Sequence, residues 1–184
     1  LKEGGSRTCN DSVDWYNCFE DFYSSLLVNG FYTERSDPFL LTPPVKDPDG
    51  SAYLIQTRIN GSGAKVYGGT LEGKVAYKDK VQLQAGLTLQ RSIYDSPEEW
   101  SADEEHLSEK ERYSDKILRT PDVYGYFTAT YMPVKAFSIA LNGNYTGRMY
   151  VPHLLSEVNG EADVLVKSPD FFELGTKIAY DFDF

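Results

Sequence analysis

The chain has 184 residues, a length that suits one domain, and a formal net charge of −10. Binding to nucleic acid needs clustered Lys and Arg that neutralise phosphate charges. The negative net charge argues against such binding, so nucleic acid is not expected as a partner. The 14 Tyr, 10 Phe and 15 Gly, with a negative mean hydropathy, are more typical of a membrane β-barrel than of a soluble domain. No apolar run approaches about 18 residues, which excludes a transmembrane helix.

Seven segments predict long antiparallel strands in an all-β meander. Alternation is strictest in residues 80–90, where apolar residues from Val81 to Leu89 alternate with polar ones. Such a strand has one apolar and one polar face. The predicted segments, in chain order, are residues 6–16, 22–33, 62–77, 80–90, 119–131, 136–146 and 172–184. All of them exceed the mode of about 5–6 residues in globular proteins.

The connections between these segments alternate in length. Short turns are predicted at residues 17–21, 78–79 and 132–135, and long polar connections at 34–61, 95–118 and 151–168. Outer-membrane barrels combine short periplasmic turns with long external loops. The pattern therefore predicts part of a transmembrane β-barrel, with its apolar side against lipid and its polar side toward a lumen.

Aromatic residues concentrate next to the short turns. Amphipathic rings favour the boundary between membrane and water, which predicts an aromatic girdle at that end of the strands. The girdle residues are expected to be Tyr77, Tyr131, Phe137, Tyr180 and Phe182. Gly68-Gly69, inside the third segment, predicts either a β-bulge or a close approach of two backbones.

The sequence offers few candidates for chemistry. Only His106 and His153 are present, in two different loops, and no ligand cluster accompanies them, so neither a metal nor a cofactor is expected. The sequence shows no nucleophile motif and no pair of carboxylates that is expected to converge, so an enzyme is not predicted. Asp47-Pro48-Asp49-Gly50 reads as a turn rather than a calcium loop. Cys9 and Cys18 could form a disulfide in an oxidising compartment or remain free thiols.

The acidic segment 95–115 is predicted to be an external loop with a short helix around residues 102–113. It could contact a ligand or a surface lipoprotein, or its charges could simply keep the loop solvated. Trp100 and Tyr113 are the candidates for stacking against a ligand.

Residues 24–41, 58–95, 119–153 and 171–184 resemble, in this order, barrel strands of the TonB-dependent outer-membrane receptors. The most specific part comprises Asn60-Gly61-Ser62, Val66-Tyr67-Gly68 and Leu71-Glu72-Gly73. The resemblance implies a bacterial outer-membrane barrel of 22 strands, filled by an N-terminal plug, that imports a siderophore, cobalamin or glycan with energy from TonB.

By that resemblance, residues 1–184 form part of a larger receptor, at about strands 14 to 20, while the plug and the last strands lie outside this sequence. Phe184 is then not expected to be the natural C-terminus. The expected partners are outer-membrane lipid, the TonB system through the plug, and a surface lipoprotein. The lumen would be lined by Gln82, Gln84, Thr88, Gln90, Asn142, Asn144 and Lys177.

Two alternatives belong to another class of protein. The chain could be a small, complete outer-membrane barrel, or a secreted β-sandwich with a structural or ligand-binding role. A sandwich would bury one face of each strand against a second sheet, whereas a barrel wall would leave its apolar face to lipid. An isolated wall segment is expected to need detergent, a partner chain or strand pairing between copies, because its edges and apolar face are open.

Overall fold

A computed structural model describes residues 1–47, 49 and 53–182, apart from the side chain of Glu157. Pro48, Gly50 and Phe184, on which two of the expectations rest, lie outside the described residues. The elements follow in chain order: β1 Gly5–Phe19, β2 Phe22–Ser36, β3 Phe39–Leu41, β4 Val45–Lys46, β5 Leu54–Ile55, β6 Arg58–Asn60, β7 Ala64–Tyr77, β8 Val81–Glu99, β9 Tyr113–Lys116, β10 Val123–Val134, β11 Phe137–Thr146, β12 Tyr150–His153, α1 Ser156–Asn159, β13 Val164–Lys167 and β14 Phe171–Tyr180.

One antiparallel sheet holds the seven long strands. Its order is β1-β2-β7-β8-β10-β11-β14, and β9 joins it as a partner of β8. The predicted all-β meander of seven long strands is therefore confirmed. The remaining short strands pair as β3-β6, β4-β5 and β12-β13 within the long connections. All three long connections lie at one end of the sheet, and the three short turns lie at the other.

The pairing is regular along nearly the whole sheet. All fifteen residues of β1 have partners in β2, and β7 pairs without interruption from Ala64 to Tyr77 with both β2 and β8. Residues directly opposite each other point to the same face. The register therefore carries one face across all strands: Val28 lies beside Leu71, which lies beside Leu87.

This apolar face is uncovered. Leu89 is 55% exposed and Ile178 is 66% exposed, although both lie inside long strands. Among the described residues, the only buried hydrophobic side chains are Ala64 and Trp100. The β-sandwich alternative is therefore wrong for this part of the chain, because no second sheet covers the apolar face.

The second alternative, a small complete barrel, requires the two end strands to pair. In the described residues β1 pairs only with β2, and β14 pairs only with β11. The sheet of this chain is thus open, with one backbone edge on β1 and another on β14.

Two pairs of aromatic residues mark the height of the apolar face. Phe22 pairs with Tyr77 beside the short turns, and Tyr32 pairs with Tyr67 ten residues further along the same two strands. At about 3.3 Å per residue and a strand tilt of about 40°, ten residues span about 25 Å of membrane thickness. That is the height of the apolar band of an outer-membrane barrel.

Gly68 and Gly69 do not form a bulge, because the register between β2, β7 and β8 continues through both. The other prediction, a close approach of backbones, is confirmed at Gly68. A Cβ atom added there would overlap the Leu89 carbonyl oxygen of the neighbouring strand. The register of the sheet shifts elsewhere, between Tyr131 and Val134 in β10 beside a short turn, and between Ile93 and Glu98 where β8 pairs with β9.

The disulfide alternative is wrong. Cys9 and Cys18 are both exposed free thiols on β1. They are nine residues apart on one extended strand, or about 30 Å at about 3.3 Å per residue. A disulfide needs Cα atoms within about 7 Å of each other.

Gly68→Ala is expected to destabilise the sheet by about 1–3 kcal/mol, because the added methyl group must displace the backbone of β8. Gly30→Ala is the matched control, since nothing lies within 4 Å of a Cβ atom at that position. The measurement is the urea midpoint of unfolding in lipid vesicles. Equal midpoints for the two variants would contradict the close packing of β7 against β8.

Candidate functional site

The seven predicted lumen residues lie on one face of the sheet, opposite the apolar face. On β8 they are Gln82, Gln84, Thr88 and Gln90, and the register places Asn142 and Asn144 of β11 and Lys177 of β14 on the same side. Thr88 is 7% exposed, whereas Leu87 and Leu89 beside it are largely exposed. In the middle of β8 the polar residues are thus more sheltered than the leucines that alternate with them, whereas Gln82, Asn142, Asn144 and Lys177 are exposed.

Hydrogen bonds between strands connect this polar face. Gln84 donates from Nε2 to Glu72 Oε1 at 2.9 Å and to the Tyr126 hydroxyl at 3.0 Å, which joins β7, β8 and β10. The hydroxyls of Thr70 and Thr88 are 2.9 Å apart. Cross-strand polar pairs of this kind fix the register and hold the side chains against the sheet.

The five predicted girdle residues lie at the short-turn end. Tyr77, Tyr131, Phe137 and Tyr180 share the apolar face by register, and Phe137 pairs directly with Tyr180. Phe182 follows the last strand, and its ring meets the Tyr180 ring edge-on at 4.7 Å between centroids.

A second aromatic row was missed by the sequence reasoning. It lies on the same apolar face at the loop end and consists of Tyr32, Tyr67, Tyr145 and Phe172. The rings of Tyr32 and Tyr67 stack at 6.5 Å. The signal for this row was present, because Tyr67, Tyr145 and Phe172 each continue the apolar alternation eight or ten residues away from a predicted girdle residue. Tyr32 does the same ten residues after Phe22.

The long connections are joined by a cluster of polar residues, which is called the carboxylate cluster here: the buried Ser101, Asp103 and Asp163, and the exposed His106. Ser101 is fully buried and donates from its hydroxyl to Asp163 Oδ2 at 2.6 Å. The backbone N–H of Asp163 donates to Asp103 Oδ2 at 3.0 Å. These bonds hold the loop after β8 against the loop before β13.

Each carboxylate of this cluster accepts several hydrogen bonds. Asp163 Oδ1 accepts from the backbone N–H groups of Leu155 and Ser156 at 2.7 and 2.8 Å. Asp103 Oδ1 accepts from His106 Nδ1 at 2.9 Å. Burial by itself raises the pKa of both carboxyls, but the hydrogen bonds outweigh it, and both pKa values are lowered. The hydrogen bond to Asp103 raises the pKa of His106.

Trp100 and Tyr113 lie beside a cavity of about 780 Å³ between these loops, which Tyr150 and Lys116 also line. Trp100 is buried, and its Nε1 donates to the Glu111 carbonyl at 2.8 Å. Tyr113 is 40% exposed. Of the two candidates for ligand stacking, Tyr113 is therefore the accessible one, while Trp100 mainly supports the loop.

The helix predicted around residues 102–113 is wrong. Only isolated turns form there, and the single helix in the described residues is the four-residue α1. The Glu111 carbonyl accepts from Trp100 Nε1 and the Arg112 carbonyl accepts from the Trp100 backbone N–H, which holds the end of this segment against the end of β8. Asp103 likewise binds a second loop.

No helix in the described part of the chain has the length and apolarity to cross a membrane. Within residues 1–47, 49 and 53–182, no three His, Cys, Asp or Glu side chains converge as metal ligands would. His106 binds Asp103 instead.

No protein-family model matches the sequence, and no curated protein sequence matches it. Solved structures do match. The ferric-catecholate import receptor Fiu of E. coli K12 superposes with a TM-score of 0.64 at 15% identity, over 100% of this chain and 22% of the receptor. The copper transporter OprC gives a TM-score of 0.58 at 14% identity, over 97% of this chain and 23% of the transporter.

The FrpB iron transporter of Neisseria meningitidis gives a TM-score of 0.53 at 13% identity, over 96% of this chain and 24% of that protein. All of these neighbours are TonB-dependent receptors of the bacterial outer membrane. The fold is that of a segment of these neighbours' β-barrels. The expected fold class is thus confirmed, and the chain spans about a quarter or less of each neighbour named here.

The pKa shifts in the carboxylate cluster predict a pH window in which the loops are held together most firmly. The lowered pKa values of Asp103 and Asp163 add stability above their ordinary 3.8, which is lost as the pH falls through the lowered values. The raised pKa of His106 adds stability below its ordinary 6.5, which is lost as the pH rises through the raised value. The loops should therefore be most firmly held between pH 3.8 and 6.5.

Trp100 can report on this window in a Trp15→Phe background, because Trp15 and Trp100 are the two Trp of the chain. Acrylamide quenching of Trp100 should be weakest inside the window and should increase on both sides of it. His106→Asn should remove only the increase at higher pH, while the control His153→Asn should leave the profile unchanged. A profile that His106→Asn does not alter would contradict the assignment.

Proposed function

We propose that the chain forms part of the barrel wall of an outer-membrane receptor that imports a nutrient with energy from TonB. The observation that carries this proposal is the inverted arrangement of side chains. Leu71, Leu87 and Leu89 are exposed along one face that no second sheet of the described residues covers, while polar side chains on the other face form hydrogen bonds between strands. Lipid is the solvent in which an uncovered apolar sheet face is stable, and a water-filled lumen suits the polar face.

The polar face then lines the import path. Gln84, Thr88 and Gln90 stand in the proposed lumen with their hydrogen bonds directed across the strands. These residues present amide and hydroxyl groups toward the space that a plug would occupy. In this proposal the plug and the contact with TonB lie outside residues 1–184, and the chain corresponds to about strands 14 to 20 of a 22-stranded barrel.

The cargo is a metal or a metal chelate in this proposal. The neighbours are described as a ferric-catecholate import receptor, a copper transporter and an iron transporter. They are transporters rather than enzymes, which supports a non-enzymatic role. The cavity beside Tyr113 and Tyr150 at the loop end is the candidate point of first contact with the cargo. The acidic loop that carries Tyr113 is also the candidate surface for a lipoprotein partner.

Lipid contact can be tested with one charge placed on each face of β8. Leu87→Arg should destabilise the folded barrel in vesicles by about 2–4 kcal/mol, because Leu87 lies near the middle of the apolar band. Gln82→Arg, on the polar face of the same strand, is the control and should change stability by less than about 1 kcal/mol. The measurement is the unfolding free energy in urea, and equal effects of both variants would exclude lipid on the apolar face.

Import can be tested with the full-length polypeptide that carries this chain. Expressed in a host that lacks its own outer-membrane iron receptors, it should restore growth under iron limitation only when TonB is present. Tyr113→Ala should raise the chelate concentration needed for half-maximal uptake without removing the protein from the outer membrane. Uptake that is independent of TonB would contradict the proposed function.

A further inference from the structure

A second, smaller cavity lies at the loop end, where β8, β9, β12 and β13 meet. Its volume is about 100 Å³. Four cationic side chains line it: Arg91, Lys116, Arg148 and Lys167. The chain as a whole has a net charge of −10, with 18 Lys and Arg against 28 Asp and Glu. Four cations around one small cavity are therefore a marked departure from the rest of the molecule.

Few carboxylates neutralise this group. Asp122 lines the same cavity, and Asp170 lies 3.6 Å from Arg148 Nε. Within the described residues, no ion pair with a carboxylate engages Arg91, Lys116 or Lys167. Like charges at close range repel each other, so an arrangement of this kind is more stable when an anion occupies it.

Tyr150 holds two of the cations together. Lys116 Nζ lies over the Tyr150 ring at 4.5 Å from its centroid and donates to the Tyr150 hydroxyl at 3.4 Å. Lys167 Nζ lies over the same ring at 5.8 Å. The ring attracts both ammonium groups without neutralising either of them. The Tyr150 hydroxyl keeps its own proton for a further acceptor.

An independent observation concerns Ser92, which also lines this cavity. Ser92 is 7% exposed, and its buried hydroxyl has no hydrogen-bond partner among the described residues. Buried hydroxyls are almost always hydrogen-bonded, so an unpaired one beside a cavity indicates a missing partner. The neighbouring Lys and Arg side chains can only donate hydrogen bonds. An acceptor in the cavity would therefore bind both the Ser92 hydroxyl and these cations.

We propose that this cavity binds a phosphoryl group. The donors come from several strands and surround the cavity, an arrangement that suits a tetrahedral group with oxygens on all sides better than a planar carboxylate. Arg91 and Arg148 supply guanidinium groups, which pair with phosphate through two parallel hydrogen bonds. Ser92 and Tyr150 supply hydroxyl donors. The phosphoryl group can belong to a free phosphate compound or to a phosphorylated lipid of the membrane surface.

The test uses the full-length polypeptide that carries this chain, in detergent micelles at low ionic strength, where charge interactions are least screened. Binding of inorganic phosphate is measured by calorimetry. Lys116→Gln with Lys167→Gln should weaken binding at least tenfold. Lys80→Gln with Lys135→Gln, at the short turns, makes the same change of charge and should leave binding unaltered.

Ser92→Ala tests the role of the buried hydroxyl. It should weaken phosphate binding about tenfold, the loss expected for one hydrogen bond to a charged group. Without phosphate, its melting temperature should equal or exceed that of the wild type, because an unpaired buried hydroxyl has been removed. A purely structural Ser92 would instead lower the melting temperature and leave phosphate binding unchanged, which would overturn this part of the assignment.

The lipid arm uses micelles that contain a bisphosphorylated glycolipid, compared with the same glycolipid after phosphatase treatment. Binding of the phosphorylated form without binding of inorganic phosphate supports the site and assigns the phosphoryl group to lipid. Binding of inorganic phosphate supports a soluble source. Equal binding of both glycolipids in the absence of phosphate binding, or unchanged affinity in Lys116→Gln with Lys167→Gln, would overturn the proposal.

Discussion

The structure depends on the continuous pairing of backbone N–H and C=O groups between neighbouring strands. In a lipid environment an unpaired backbone group costs several kcal/mol, so long strands with an uninterrupted register are the form in which a sheet can cross a membrane. The pairing of β7 from Ala64 to Tyr77 with neighbours on both sides meets this demand. At Gly68 the approach to β8 is so close that a side chain would not fit.

Once the register is continuous, the side chains are sorted by alternation alone. Each residue on the apolar face is followed by one on the polar face, so Leu87 and Thr88 share one strand and differ in exposure. The rows of Tyr and Phe at both ends limit the apolar face to about 25 Å, the height of an outer-membrane barrel. Beyond that height β2, β7 and β8 continue as paired strands into the loop end.

The loop end is stabilised by polar contacts rather than by apolar packing. Asp163 accepts three hydrogen bonds and ties two loops together, while Trp100 supports the loop between β8 and β9. Lys116 and Lys167, by contrast, lie over the Tyr150 ring, and within the described residues neither forms an ion pair with a carboxylate. The carboxylate cluster thus forms its hydrogen bonds within the chain, whereas the cationic cavity is the proposed site for a phosphoryl group.

The sequence by itself determined the seven strands, their two faces and the position of aromatic residues beside the short turns, because alternation and turn spacing are local patterns. It also placed Gln84 and Asn142 on one face before any register was known. Only the tertiary structure decided the loop end. The predicted helix at residues 102–113 gave way to contacts with a distant loop, and the groups around Ser92 come from segments up to 75 residues apart. Such groupings depend on which hairpins lie side by side, a long-range property that no local pattern encodes.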